Sequence, residues 1–229
     1  MRTCFDIDEQ DEYHAARTLL IRRCEQWAGE HDRPADELLL MSALDSRHFS
    51  ADGRLTYWTP DHVRRYLLEW VPRYIDTETG DPIEAPEVLR TLLRFIADYG
   101  LRDPRGADLA DNEAAIDAAA ADFPAALNDT ERFGLGKFWG RVARDNNVDV
   151  SDADALSDLQ QDVNDGRVTV DESLLERLLR SQYTQPLLGE ERTLAQLPVS
   201  LPSARELAAT ASHAPALRHL RALVAWVGR

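Results

Sequence analysis

The chain has 229 residues, 44% of them apolar and 29% charged, with a formal net charge of −15. This length can bury a sizeable core, and both fractions match ordinary globular proteins. Without an apolar run of about 18 residues no transmembrane helix is expected, and an N-terminus that turns acidic by Asp6 lacks a secretory signal, so a cytoplasmic protein is expected.

The first predicted helix runs from Asp11 to Trp27, with Leu19, Leu20, Cys24 and Trp27 as candidate buried positions, and Ala28-Gly29 and the run to Pro34 end it. A second spans Asp36 to Arg47 with Leu38, Leu39, Met41 and Leu44 apolar, followed by the turn dipeptide Asp52-Gly53 and a short extended piece from Leu55 to Trp58. The segment Trp58 to Pro72 is the clearest in the chain. Thr59 suits an N-cap and Pro60 the first helical position. Val63, Tyr66, Leu67, Trp70 and Val71 fall on one apolar stripe, and Pro72 is expected to push Val71 out of the helical region and end the run. After a loop over residues 76–86, Glu87 to Tyr99 forms a helix whose face carries Val88, Leu92, Phe95, Ile96 and Tyr99, with Gly100 as its stop.

Pro104 and Gly106 mark Arg102 to Asp108 as a linker. The alanine-rich run from Leu109 is helical up to Phe123, where Pro124 disturbs it. Thr130 is read as the cap of the next helix, with Phe133, Phe138, Trp139 and Val142 as its apolar set; Gly134, Gly136 and Gly140 weaken it or admit another backbone. Ser151 or Asp152 starts a helix bearing Leu156, Leu159 and Val163, which Asn164-Asp165-Gly166 ends. Val168 to Val170 is an extended link, and Asp171 caps a helix with Leu174, Leu175, Leu178 and Leu179. Pro186 and Gly189 open a second linker. Ser203 caps a short helix with Glu206 at the capping-box position, and a last helix near Pro215 carries Leu217, Leu220, Val224 and Val227. No strand run is long enough for a sheet. The predicted fold is all-α, a multi-helix bundle in three units: 1–102, an acidic 103–185, and a C-terminal 186–229.

Motifs for chemistry are sparse. Gly134-Leu135-Gly136-Lys137 lacks the spacing and the hydroxyl residue of a phosphate loop, because Phe138 follows the lysine. Asp145-Asn146-Asn147-Val148-Asp149 begins like an EF-hand, but Val150 stands where glycine is needed and Leu156 where the bidentate glutamate belongs; an Asx-rich turn accounts for it. No histidine pair has the i, i+4 spacing of a helical zinc site, and there is no G-x-S-x-G elbow. Cys4 and Cys24 are read as reduced thiols rather than a disulfide framework. Lys137 is the single lysine, a bias consistent with a GC-rich genome. No catalytic residue, metal ligand or cofactor site is assigned.

Charge is unevenly distributed. Residues 103–172 carry 17 acids and 6 bases, and residues 190–229 carry 3 acids and 5 bases. The acidic middle repels phosphate, so general nucleic-acid binding is not expected. Aromatics that stack on single-stranded nucleic acid want adjacent arginines in a basic groove, and only 58–73, with Arg64, Arg65 and Arg73, comes close to that.

Three stretches resemble a pattern found in uncharacterised actinobacterial proteins. They are Trp58-Thr59-Pro60 through Trp70-Val71-Pro72 with Pro86 to Tyr99, then Phe133 to Lys137 through Val148 to Leu156, then Leu197-Pro198 through Trp226-Val227-Gly228-Arg229. The resemblance covers about half the chain and implies no activity. In similar proteins the Trp-Val-Gly pattern is followed by a further small unit, whereas here Arg229 is last, which reads either as a truncated relative or as a final helix whose Leu217, Leu220, Val224 and Val227 face is left for a partner, against the plainer reading that this helix packs onto the rest of the chain.

The leading expectation is a non-enzymatic interaction or regulatory protein with a protein partner, reached through Arg64, Arg65, Arg73 or the C-terminal apolar face, with the acidic middle docking a basic surface. The alternatives are an enzyme whose site is assembled from dispersed His, Asp and Arg residues, and a nucleic-acid-associated factor using the 58–73 arginines.

Overall fold

The computed structural model describes residues 2–50, 52–75, 82–150 and 152–184. The second linker, the proline-containing segment and the final helix with Leu217, Leu220, Val224 and Val227 lie outside the described residues. What is described is helical. Its elements are α1 (Gln10–Glu30), α2 (Glu37–Ser50), α3 (Pro60–Arg65), a π-helical turn (Tyr66–Trp70), α4 (Val71–Tyr74), a 3-10 turn (Pro82–Glu84), α5 (Ala85–Asp98), α6 (Leu109–Asn128), a 3-10 turn (Thr130–Arg132), α7 (Leu135–Asp145), α8 (Ala153–Asn164) and α9 (Glu172–Thr184). Extended pairing among the described residues is limited to one isolated antiparallel bridge, Cys4 to Arg54, in place of the strand-like piece expected from Leu55. The fold is therefore an all-α multi-helix bundle.

Chain contacts divide the protein into two compact units, with the first boundary after Gly134. In the first unit, α1 buries Tyr13, Leu20, Ile21, Cys24, Trp27 and Ala28, and runs past the expected stop at Ala28-Gly29 to Glu30. Leu19 is only half-buried. The Asp36 carboxylate accepts from the Leu39 N–H at the start of α2, and Leu39, Leu40 and Leu44 are fully buried. α5 buries Val88, Leu92, Phe95 and Ile96, but Tyr99 sits at its C-cap with 54% of its surface exposed. Gly100 follows at φ +63, and the Leu101 N–H reaches the Ile96 carbonyl, so a left-handed glycine closes the helix as its position suggested.

Thr59 and Pro60 behave as the sequence predicts: the Thr59 hydroxyl accepts from the His62 N–H, and Pro60 opens α3. Pro72 does not. Val71 is helical at φ −59, ψ −49, and the chain continues through α4. The ladder adapts by widening. The Val71 N–H reaches back five residues to the Tyr66 carbonyl, giving a π turn immediately before the proline. Pro72 has no N–H for the Leu68 carbonyl, and Arg132 supplies one, its Nη1 lying 2.6 Å from that oxygen. Along the stripe Val63, Tyr66, Leu67 and Val71 are buried, while Trp70 is half-buried with its indole N–H on Ser42. Pro124 is likewise absorbed, because α6 continues to Asn128 instead of breaking at Phe123.

α6 packs on α3, the π turn and α5. One apolar core joins α1, α2, α3, α5 and α6, centred on Leu20, Leu39, Leu44, Leu67, Leu92, Phe95 and Phe123. Each such side chain contributes roughly 1.5–3 kcal/mol by burial. The loop 102–108 belongs to this unit and is tied down: the Asp103 N–H bonds the Thr56 carbonyl and the Ala107 N–H the Trp58 carbonyl.

The second unit has its own small core, in which Leu135 and Phe138 of α7 meet Leu174 and Leu178 of α9, with Trp139 and Val142 packed alongside. Thr130 does not cap this helix. A 3-10 turn intervenes, and the Asp129 carboxylate accepts from the Glu131 N–H. Asp152 caps α8 through the Asp154 and Ala155 amides, and Asp171 accepts from the Leu174 N–H at the start of α9.

Candidate functional site

The densest polar constellation gathers where the end of α2, the 52–58 loop, the start of α3 and the 103–105 loop converge. Arg47 issues from α2 with only 3% of its side chain exposed and places Nη2 2.9 Å from Asp52 Oδ1. Arg54 bonds the same carboxylate through Nε at 2.6 Å and again through Nη2. Arg54 Nη1 lies 3.8 Å from Asp103 Oδ2, and Asp103 is also held by the backbone N–H, Nε and Nη2 of Arg105 at 2.9, 3.0 and 2.7 Å. The Arg54 guanidinium rests over the Tyr57 ring at 3.7 Å, and the His62 ring meets Tyr57 edge-on.

The electrostatics follow from this packing. Hydrogen bonds from the Arg105 side chain and amide, against a smaller opposing effect of burial, hold the Asp103 carboxyl down at about 2. Burial tends to raise Asp52, but the Arg54 hydrogen bonds and the Arg47 charge outweigh it and leave the carboxyl below its ordinary value. Burial lowers His62 to about 4, with the Arg47 charge acting in the same direction, so this imidazole is neutral at pH 7. A neutral ring of that basicity is a weak proton acceptor near neutrality. Each carboxylate is held by two arginines, and the network works as a brace between loops.

A second polar group ties α1 to α2. Asp45 accepts from the Tyr13 hydroxyl and from Arg17 Nη1, the latter at 2.6 Å, and the Tyr13 ring stacks on the fully buried His48 at 3.8 Å. Burial first, and then the Asp45 charge, raise the Tyr13 phenol. Cys24 is buried and its thiol is pushed up to about 12 by desolvation, so it is not an activated nucleophile.

Among the arginines singled out by sequence, Arg64 pairs with Asp61 and Glu69, and Arg65 with Asp61. Arg73 lies beside Tyr74, 5.7 Å from its ring centroid. The first two are thus partnered by acids from their own helical segment. Lys137 is largely buried in α7. The Asp145–Asp149 stretch is a turn with Asn147 at φ +55. Among the described residues no group of three or more His, Cys, Asp or Glu side chains could hold a metal ion. No helix among them is long and apolar enough to cross a membrane. A pocket lined by Trp58, Ile96, Arg102, Ala107 and Asn112 has a volume of ≈ 10 Å³, about the room one water needs.

The brace was not visible in the sequence. Arg47, Asp52, Arg54 and Asp103 come from a helix end and two loops, and no periodic or motif signal links them. The acidity of the middle region was visible, and its placement is clear at α8. From Asp149 to Asp165 there are six aspartates and no basic residue; Asp149, Asp152, Asp154, Asp158 and Asp165 are exposed. Arg167 pairs with Asp162 and Asp165. No family model, no curated protein and no solved structure matches this chain.

Proposed function

We propose that the protein is a helical interaction module that docks a basic protein partner on the acidic surface of α8, working in the cytoplasm without catalytic chemistry of its own. The observation that carries this reading is the run of six aspartates without a base, five of them exposed on α8 and its flanks. Like charges held on one short, capped helix favour a partner of opposite sign, and such complementarity acts mainly on encounter rate and selectivity. The closed brace of Arg47, Asp52, Arg54, Asp103 and Arg105 adds support, since its charges are directed at one another.

The test is affinity capture with the full chain and with a variant carrying Asp154→Asn and Asp158→Asn. Both substitutions leave the cap residue Asp152 intact. The expected result is a basic partner that is retained by the parent chain, released as salt is raised, and lost by the variant. Capture of the same partners by both proteins overturns the reading.

A further inference from the structure

Asn112 stands in the first turn of α6 with 3% of its surface exposed, and only part of its amide is used. Its Nδ2 donates to the Ala107 carbonyl over 3.5 Å, and its backbone N–H donates to the Asp108 carbonyl. Its Oδ1 is buried and accepts from no donor among the described residues. Turning the amide over gives no relief, because Oδ1 would then face the Ala107 oxygen, acceptor against acceptor. Leaving a buried acceptor without a donor generally costs more than immobilising one water that supplies it. Asn112 also lines the ≈ 10 Å³ pocket where α5, α6 and the loops 52–58 and 102–108 meet. On the same wall the Trp58 indole N–H is spent on the Leu55 carbonyl, while the Thr56 hydroxyl donates to Thr3 Oγ1 and keeps lone pairs for a second contact.

We propose that this pocket is the binding site of one ordered water, which donates to Asn112 Oδ1 and, with its second proton, to the Thr56 hydroxyl oxygen. The volume suits a single water and nothing larger. The loop packs tightly here, since a Cβ at Gly106 would stand 3.0 Å from the Trp58 carbonyl oxygen. The Asp103 N–H already bonds the Thr56 carbonyl and the Ala107 N–H the Trp58 carbonyl. The water is a third tie in that seam, and the one that brings in the start of α6. It thereby fastens α6 to the two loops that carry Arg54 and Asp103 of the brace.

Solvent oxygen-17 relaxation dispersion on the full-length protein tests this, because it counts long-lived bound waters and is blind to exchanging hydroxyl protons. Asn112→Leu keeps a branched side chain of similar length but offers no acceptor. It is expected to lose the contribution of one bound water relative to the parent. In the parent, a water-selective nuclear Overhauser experiment is expected to show a direct cross-peak between water and the Asn112 side-chain amide protons, with the sign of a bound water rather than a surface one. An unchanged dispersion in Asn112→Leu overturns the proposal, as does a parent chain with no such cross-peak at that amide. The parent-chain measurement decides the matter even where the variant folds poorly.

Discussion

The Phe5 N–H donates to the Gly53 carbonyl over 3.1 Å, and the Phe5 carbonyl in turn fills the space that a side chain at position 53 would need. Gly53 has φ +73. The N-terminal segment therefore seals the turn after α2, and the bond from the Leu55 N–H to the Thr3 carbonyl extends the seal. Gly53→Ala combines a left-handed backbone with a backbone clash. We expect a loss of about 3 kcal/mol or more, read from urea denaturation, and a mobile N-terminus by proteolysis. An unchanged midpoint would refute this account of the turn.

Tyr13, Asp45 and Arg17 join α1 to α2 through one shared carboxylate oxygen. Tyr13→Phe keeps the ring on His48 and removes only the hydroxyl. A loss of about 1.5–3 kcal/mol follows for a bond to a charged acceptor. In a double-mutant cycle with Asp45→Asn the two effects should be clearly non-additive, because the residues are in contact.

His62 carries a pH signature. Its folded value is about 4 against 6.5 for the free side chain, so the unfolded chain binds the extra proton between those limits. Stability should then fall as pH drops from about 6.5 towards 4, by at most about 1.4 kcal/mol per unit from this group. Urea midpoints at pH 7 and pH 5 should lie closer together in His62→Gln than in the parent.

Asp103 acts at lower pH. Its carboxyl is held at about 2, first by the Arg105 hydrogen bonds, so its contribution is present above the ordinary value of 3.8 and is lost as pH falls through 2. Asp103→Asn should be less stable than the parent at pH 6 and converge with it near pH 2.

What the sequence made legible was local. Thr59 and Pro60 opening a helix, Gly100 closing one, and Asp152 and Asp171 as caps all follow from side chains bonding their own neighbourhood. The continuation through Pro72 is not legible, because the donor that rescues the Leu68 carbonyl, Arg132, is 64 positions away. Tyr99 keeps the spacing of the α5 stripe but falls at the C-cap, where the chain leaves the helix, and so it is exposed. The brace needed three separate loops and helix ends to meet, and His48 became buried through a ring, Tyr13, on another helix. Tertiary contacts of this kind leave no period to read.

The burial of Lys137 has a practical consequence. It is the chain's one ε-amine, and it lies largely covered in α7. Acetyl transfer, ubiquitin-type conjugation and amine-reactive cross-linkers therefore find almost no side-chain target on the folded protein. Surface mapping can turn to carboxylate or arginine chemistry or to the exposed Cys4 thiol, and fresh amine labelling at position 137 would report that the cover over this α7 side chain has been lost.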